Sequence, residues 1–169
     1  MRRSPKSPGS ASSLSPDALT VALTLLGQRE LSEAQLRRRL ERRGCDRDGI
    51  DAAIDRLRRD RTLDDARVAR AAARLEAAIR HRGPARVRQR LQAMGLASHL
   101  IQDAITDTFA EVDEAALLDA ALARRLRGRD PATLDHKARA RVVRGLVGQG
   151  FSLGAVLERL TRRDGRDPT

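Results

Sequence analysis

The chain has 169 residues, enough for one domain, and its 34 Lys and Arg residues against 23 Asp and Glu residues give a formal net charge of +11. An excess of this size favours a polyanionic partner, such as nucleic acid, an acidic protein surface or anionic lipid. Phe109 and Phe151 are the only aromatic residues, so the core must consist of Leu, Ile, Val and Ala, which disfavours a thick β-sandwich.

Several classes of fold and site are excluded by residue patterns. No stretch alternates cleanly between apolar and polar residues, so an all-α protein is predicted. No apolar run reaches the roughly 18 residues of a membrane span, and no membrane association is expected. The lone Cys45 rules out a disulfide framework and a cysteine metal site. These features indicate a soluble, cytoplasmic protein.

The ends of the helices are predicted from capping residues, prolines and glycines. Residues 1–15 form a basic leader rich in Ser, Pro and Gly, which predicts disorder. The expected starts, in chain order, are Asp17, Ser32 with Gln35 in a capping box, Asp46, Asp64-Asp65, Pro84, Ser98, Asp113, the residues after the Asp130-Pro131 turn, and Ser152. The expected ends are Leu26-Gly27, Gly44, Gly83, Gly95, near Gly128 and Gly150, and nine helices result. The buried side of the long fourth helix is predicted to consist of Val68, Ala72, Leu75 and Ile79.

A pattern of apolar residues and a glycine occurs three times. Two apolar residues lie four apart, a glycine follows four later, and further apolar residues come one, six and ten positions after it. The copies are Leu36, Leu40, Gly44, Cys45, Ile50 and Ile54; Val87, Leu91, Gly95, Leu96, Ile101 and Ile105; and Val142, Leu146, Gly150, Phe151, Val156 and Leu160. This period predicts three tandem three-helix repeats, residues 16–60, 61–110 and 111–161, stacked into an elongated array with a polar tail, residues 162–169.

No catalytic or cofactor site is predicted. Gly150 to Gly154 match the G-x-S-x-G motif of α/β-hydrolases, but an amphipathic helix precedes the motif where a strand is required. The repeat accounts for the match, because Gly150 ends one helix and Ser152 caps the next. The three histidines have no metal-ligand spacing and no phosphate-binding loop occurs, so neither an enzyme nor a cofactor is expected.

The basic residues that remain cluster on the middle helix of each predicted repeat. Candidate binding residues are Arg38, Arg39, Arg42 and Arg43 on the second helix, Arg86, Arg88 and Arg90 on the fifth, and Lys137, Arg141 and Arg144 on the eighth. When stacked, these faces could follow a phosphate backbone or acidic protein residues. The alternative is that they are ordinary solvated faces. Residues 91–123 contain no Lys or Arg and form an acidic segment between the basic regions.

Three ordered motifs resemble the RecX family, whose members regulate the RecA recombinase. Leu63 to Ala69 resemble the L-D-D-x-R-Φ-A signature, where Φ is an apolar residue. Gly83-Pro84 with Val87, Leu91 and Gly95 resemble the second-repeat motif, and Lys137 with Leu146 and Gly150-Phe151 resemble the third. The resemblance covers about residues 17–160. Val68 and Cys45 depart from it, since aromatic residues are common at both positions in the family.

The resemblance implies a curved array of three repeats that lies along a RecA–DNA filament. Such a protein suppresses ATP hydrolysis, strand exchange and co-protease activity, and so regulates DNA repair and the SOS response. We therefore expect a monomeric, non-enzymatic partner of the RecA filament, with single- or double-stranded DNA as a further candidate partner.

The alternative function is a free-standing DNA- or RNA-binding module, with the helix pair at residues 32–58 as a helix-turn-helix unit. Such units read bases from the N-terminal part of the second helix. Asp46, Asp48 and Asp51 occupy that part and would repel phosphate, which counts against this function.

Overall fold

The computed structural model describes residues 16–163, so the predicted disordered leader and nearly all of the predicted polar tail lie outside the described residues. Nine α-helices and no strand occur in this range, which confirms the all-α prediction. They are α1 Ala18–Gln28, α2 Glu33–Arg42, α3 Arg47–Arg59, α4 Asp65–Arg74, α5 Pro84–Ala93, α6 Ser98–Glu111, α7 Glu114–Leu126, α8 His136–Gly148 and α9 Leu153–Arg163. Within residues 16–163 none of the helices combines the length and apolarity that crossing a bilayer requires.

The helix ends agree closely with the predicted capping residues. Ser32 and Gln35 form a complete capping box at the start of α2, and the Asp46 carboxylate accepts a hydrogen bond from Gly49 N at the start of α3. The three repeat glycines have φ angles of +77°, +78° and +97°, the left-handed region in which residues with a Cβ are strained. Two ends were predicted wrongly: α1 continues through Gly27 to Gln28, and the fourth helix stops before Gly83, since α4 ends at Arg74 and the π-helical turn after it ends at Ile79.

The apolar residues of the repeated pattern are all buried, and they fall into three separate core clusters. The first cluster joins α1, α2 and α3, the second joins α4, α5 and α6, and the third joins α7, α8 and α9. We call these groups of helices units 1, 2 and 3. Phe109 packs against the second and third clusters, so units 2 and 3 share an apolar boundary.

The predicted buried side of the fourth helix is wrong in its second half. Leu75 and Ile79 are 48% and 70% exposed, whereas Ala69, Ala73 and Ala77 are fully buried. Ala69 and Ala73 let α4 pack closely against α6, and larger residues would hold the two helices apart, whereas Ala77 lies beyond α4 and packs in the third core cluster. Beyond Arg74 the chain also widens into a π-helical turn, Leu75–Ile79, which changes the faces on which its side chains lie.

The boundary between units 1 and 2 brings the C-terminal end of α5 against the N-terminal end of α2. The Ser32 hydroxyl donates a hydrogen bond to the carbonyl oxygen of Met94, the residue that ends α5. Beside it, Glu33 N donates to the Asp65 carboxylate over 2.8 Å. A Cβ on Gly95 would lie 2.5 Å from the Cβ of Ala34, so the two helix ends touch at this glycine.

The boundary between units 2 and 3 uses equivalent positions. Gly83 N, at the start of α5, donates to the carbonyl oxygen of Gln149, which ends α8, over 3.0 Å. Ala85 N donates to Gly150 O over 3.2 Å. A Cβ on Gly150 would lie 2.3 Å from Arg86 N. The three middle helices therefore meet end to end in the order α8, α5, α2.

Candidate binding surface on the middle helices

The candidate site comprises the ten predicted basic residues of α2, α5 and α8, which we call the middle-helix surface. It extends along the line of helix ends described above, so it crosses both boundaries between units. The stacking of these helices depends on glycines at the contacts, because any side chain there would separate the units.

On α2 the guanidinium groups lie along the helix. Arg38, Arg42 and Arg43 are exposed, whereas Arg39 is half-buried. Arg38 Nε donates to Ala34 O over 3.0 Å, and Arg42 Nε donates to Arg38 O over 3.2 Å. A Cβ on Gly95 would lie 3.4 Å from Arg38 Nη2, so this guanidinium reaches the boundary with α5.

On α5 the three arginines differ in their partners. Arg86 is exposed and donates to the neutral side chain of Gln89 over 3.0 Å. Arg88 is half-buried and donates to Gln102 of α6 over 2.9 Å, so it joins two helices of unit 2. Arg90 Nε lies 3.7 Å from Glu76 Oε1. Of the three, Arg86 is the one best placed to meet an external anion.

A buried carboxylate, absent from the sequence prediction, lies beside this surface. Glu76 is 2% exposed and belongs to the π-helical turn after α4. Its Oε1 lies 2.8 Å from Arg80 Nη1, and its Oε2 lies 3.3 Å from Arg82 Nε, in addition to the Arg90 contact. A buried carboxylate needs such partners to replace its lost hydration. Glu76 therefore ties the π-helical turn to the loop before α5, through Arg82, and to the last turn of α5, through Arg90, whose side chain stays partly exposed.

On α8, Lys137, Arg141 and Arg144 are exposed. Arg141 also lines a cleft between α7 and α8 with a volume of about 370 Å³. The other lining residues are Arg124, Arg125, Arg127, Arg129, Ala138 and Val142. Sequence reasoning did not select the α7 arginines as site residues, although the run of arginines after the acidic segment is visible in the sequence. We call this feature the arginine cleft.

Several residues of the acidic segment have partners within the protein. Glu111 receives two hydrogen bonds from Arg74, over 3.1 and 3.2 Å, and Asp119 pairs with Arg159 over 3.6 Å. Asp113 caps α7. These acidic side chains therefore contribute to the internal structure of units 2 and 3.

The acidic N-terminal part of α3 is also engaged internally. Arg37 donates to Asp51 over 2.5 Å, and this hydrogen bond raises the pKa of the Arg37 guanidinium above its usual value. Asp46 caps the helix.

The G-x-S-x-G residues have structural roles at the start of α9. Ser152 Oγ accepts a hydrogen bond from Ala155 N over 3.2 Å, and Phe151 is buried. In residues 16–163 no three His, Cys, Asp or Glu side chains are grouped so that they could hold a metal ion.

Comparison with known proteins identifies the family. The model of the first three-helix domain of RecX matches residues 18–57, and that of the second matches residues 64–105. The regulatory protein RecX of Syntrophotalea carbinolica is 37% identical over 143 residues, covering 84% of this chain and 93% of that protein. A regulatory protein RecX of Thermus thermophilus is 36% identical over 151 residues, covering 88% of this chain and 95% of that protein.

Solved structures show the same fold. A crystal structure of regulatory protein RecX aligns with a TM-score of 0.72 at 23% identity, covering 83% of this chain and 70% of that one. RecX from Lactobacillus salivarius aligns with a TM-score of 0.70 at 15% identity, covering 88% and 94%. The tandem three-helix architecture and the length of the sequence match lead to one conclusion: the chain belongs to the RecX family of regulatory proteins.

Proposed function

We propose that the protein is a non-enzymatic, monomeric, cytoplasmic regulator that binds the RecA recombinase–DNA filament and inhibits its ATPase, strand-exchange and co-protease activities. In this role it regulates DNA repair and the SOS response. Family membership supports a regulatory role, and one observation supports the filament as the target: three basic helices meet end to end across three units. A filament offers repeated binding positions, and an array of similar units can contact several of them at once.

The same proposal includes the division of the chain into three repeats, residues 16–60, 61–110 and 111–161, preceded by the leader and followed by the polar tail. The three core clusters support this division. Equivalent residues of the repeat, the start of one middle helix and the end of the next, meet at both boundaries, so consecutive units are joined in a similar way. Such regularity suits a partner that is itself periodic.

The first test is the ATPase rate of recombinase assembled on single-stranded DNA. Purified protein, added at amounts well below one per recombinase subunit, should lower the rate, because one bound array blocks several positions. Failure to inhibit over a wide concentration range would reject the proposal.

The second test assigns the contact surface. A double variant, Arg38→Glu and Arg86→Glu, reverses one exposed charge on α2 and one on α5. Arg90 is unsuitable for reversal, because a second carboxylate would then lie beside Glu76. The matched control reverses Arg56 and Arg59, which are exposed on α3. The first variant should weaken filament binding by at least tenfold while its helicity stays normal, and the control should bind nearly as the wild type does. Equal binding by both variants would remove the middle-helix surface from the proposal.

The free-standing nucleic-acid-binding function is distinguished by affinity measured across salt concentrations. Binding to bare single-stranded DNA loses about 0.7 in log K per tenfold salt increase for each phosphate neutralised. If filament binding is tighter than bare-DNA binding at every salt concentration, protein contacts contribute to it. Equal affinities, with a sequence-specific footprint in the absence of recombinase, would instead favour the alternative.

A further inference from the structure

From the arginine cleft we infer a binding site for an oligophosphate group, meaning two or more phosphates joined within one molecule. Its five guanidinium groups come from both sides of one cleft: four from α7 and the turn after it, and Arg141 from α8. Guanidinium groups stay protonated at all physiological pH values, so the cleft is permanently cationic. This inference does not depend on the recombinase as a partner.

The five arginines of the cleft have no acidic partner among the described residues, whereas several arginines elsewhere in the chain do. Among the described residues, arginines that pair with a carboxylate include Arg37, Arg58, Arg67, Arg74, Arg80, Arg82, Arg159 and Arg162. None of the five guanidinium groups in the cleft pairs with a carboxylate of residues 16–163. Asp130 and Asp135, the acidic residues close by in sequence, accept hydrogen bonds from backbone N–H groups. Bringing like charges together costs free energy, which a bound anion would recover.

Arg125 shows that the cleft is pre-arranged. Its Nη2 donates to Gly145 O of α8 over 2.9 Å, while its Nε is buried without a hydrogen-bond partner. The guanidinium occupies the space beside Gly145, where a Cβ would lie 2.1 Å from Arg125 Nη1. A glycine inside a helix costs about 1 kcal/mol relative to alanine. At this position the glycine makes room for the charged group.

The chain direction after α7 places the other arginines around the same space. Arg127 has a φ of +51°, an uncommon conformation for a residue with a Cβ, and Gly128 follows with a φ of +80°. This reversal returns the chain towards α8, and Arg129 Nε is held by Leu126 O over 3.2 Å. Arg124 Nη2 forms a hydrogen bond with His81 Nε2 over 3.0 Å. Each of the held arginines still has other N–H groups available to a ligand.

The cleft is better suited to two or more linked phosphates than to one small anion. Guanidinium groups form paired hydrogen bonds with phosphate oxygens, and the five positive charges of the cleft exceed the charge of about −2 on one phosphate group. The volume of about 370 Å³ lies near the lower end of the roughly 300–1,000 Å³ typical of small-molecule sites. The phosphates could belong to a free polyphosphate or nucleotide chain, or to consecutive phosphodiesters of a nucleic-acid strand.

The test measures binding of inorganic tripolyphosphate to the full chain by isothermal titration calorimetry, without recombinase. The test variant carries Arg127→Gln and Arg141→Gln, one substitution on each side of the cleft. The control variant carries Arg56→Gln and Arg59→Gln on α3, which lower the net charge by the same amount. We expect the dissociation constant to rise at least tenfold in the test variant and less than threefold in the control. An equal change in both variants, or no binding by the wild type, would overturn the inference.

A further variant covers the case in which the double substitution perturbs folding. Gly145→Ala keeps every arginine but displaces the guanidinium of Arg125, so it should weaken tripolyphosphate binding several-fold at normal helicity. Unchanged affinity at normal helicity in both Gly145→Ala and the double variant would also overturn the inference.

The source of the phosphate is resolved by competition with a labelled thymidine oligonucleotide. Displacement by tripolyphosphate assigns the cleft to a nucleic-acid strand, and simultaneous binding assigns it to a free oligophosphate.

Discussion

The boundary between units 2 and 3 can be tested by adding one methyl group. Gly83 has φ −74° and ψ 169°, which alanine adopts without strain, so Gly83→Ala changes the boundary and leaves the local backbone preference intact. The new Cβ would lie 2.4 Å from Gly150 O, 2.5 Å from Gly150 C and 2.7 Å from Phe151 N. These are backbone atoms of the turn between α8 and α9, so no side-chain rotation can relieve the contact.

The expected loss of stability follows from the hydrogen bonds at this boundary. Separation of the units breaks the bonds from Gly83 N to Gln149 O and from Ala85 N to Gly150 O. Two such bonds contribute about 2 kcal/mol together. Replacing glycine with alanine at a compatible backbone position restores about 0.4–1 kcal/mol through the unfolded state. We therefore expect the free energy of unfolding to fall by about 1–2 kcal/mol, with weaker coupling between units 2 and 3.

The measurement is urea unfolding followed by circular dichroism at 222 nm, because the chain contains no Trp or Tyr to report by fluorescence. The control is Gly148→Ala at the end of α8, where a Cβ would have no atom within 4 Å. The control should be as stable as the wild type or more so, by up to about 1 kcal/mol. If Gly83→Ala were as stable as this control, the end-to-end contact of α8 and α5 would be wrong.

Three further predictions concern buried or closely packed side chains. Burial raises the pKa of Asp65 above 3.8, so the protein should lose stability as the pH rises from 3.8 through that higher pKa. Asp65→Asn should flatten this part of the curve of unfolding free energy against pH; identical slopes would contradict the assignment. Glu76→Gln should cost about 2 kcal/mol at low salt, because the charge-assisted hydrogen bond from Arg80 weakens and the ion pairs with Arg82 and Arg90 are lost. The cost should shrink in 1 M NaCl, which screens ion pairs whose arginines are partly exposed, and a salt-independent cost would exclude this explanation. Gly145→Ala should stay within about 1 kcal/mol of the wild type, because the gain in helix propensity offsets the lost Arg125 hydrogen bond. A larger loss in urea unfolding would show that Arg125 cannot move aside.

The middle-helix surface and the arginine cleft share Arg141, which lies on α8 in both descriptions. A strand that followed the three middle helices could therefore end in the cleft. The two proposals still separate experimentally, since tripolyphosphate binding is measured without recombinase. Arg38 and Arg86 lie outside the cleft and test the filament contact alone.

Local sequence features were sufficient to predict the helices and most of the core. A capping side chain such as Ser32 or Asp46 acts within three residues of itself, so its effect can be recognised without knowledge of the fold. A glycine just after a helix is equally local, because it adopts the left-handed conformation that ends the helix. Apolar residues four apart must share a helix face. For these reasons the pattern that contains Leu36, Leu91 and Phe151 was enough to locate the buried residues of all three units.

The tertiary structure decided the features that depend on how closely two helices approach. Ala69 and Ala73 are buried because α4 packs closely against α6, and Ala77 is buried in the core cluster of unit 3, whereas Leu75 and Ile79 are exposed. Hydropathy ranks the larger residues as more apolar and so selects the wrong face.

The sites likewise required contacts between residues far apart in the chain. Glu76 is buried because arginines from the following loop and α5 surround it, and Arg125 fits beside α8 because Gly145 lacks a Cβ. No repeating pattern in the sequence marks either contact, since each depends on the distance and angle between packed helices. The sequence alone therefore determined where the helices and their apolar faces lie, and the packing of the units decided which charges meet.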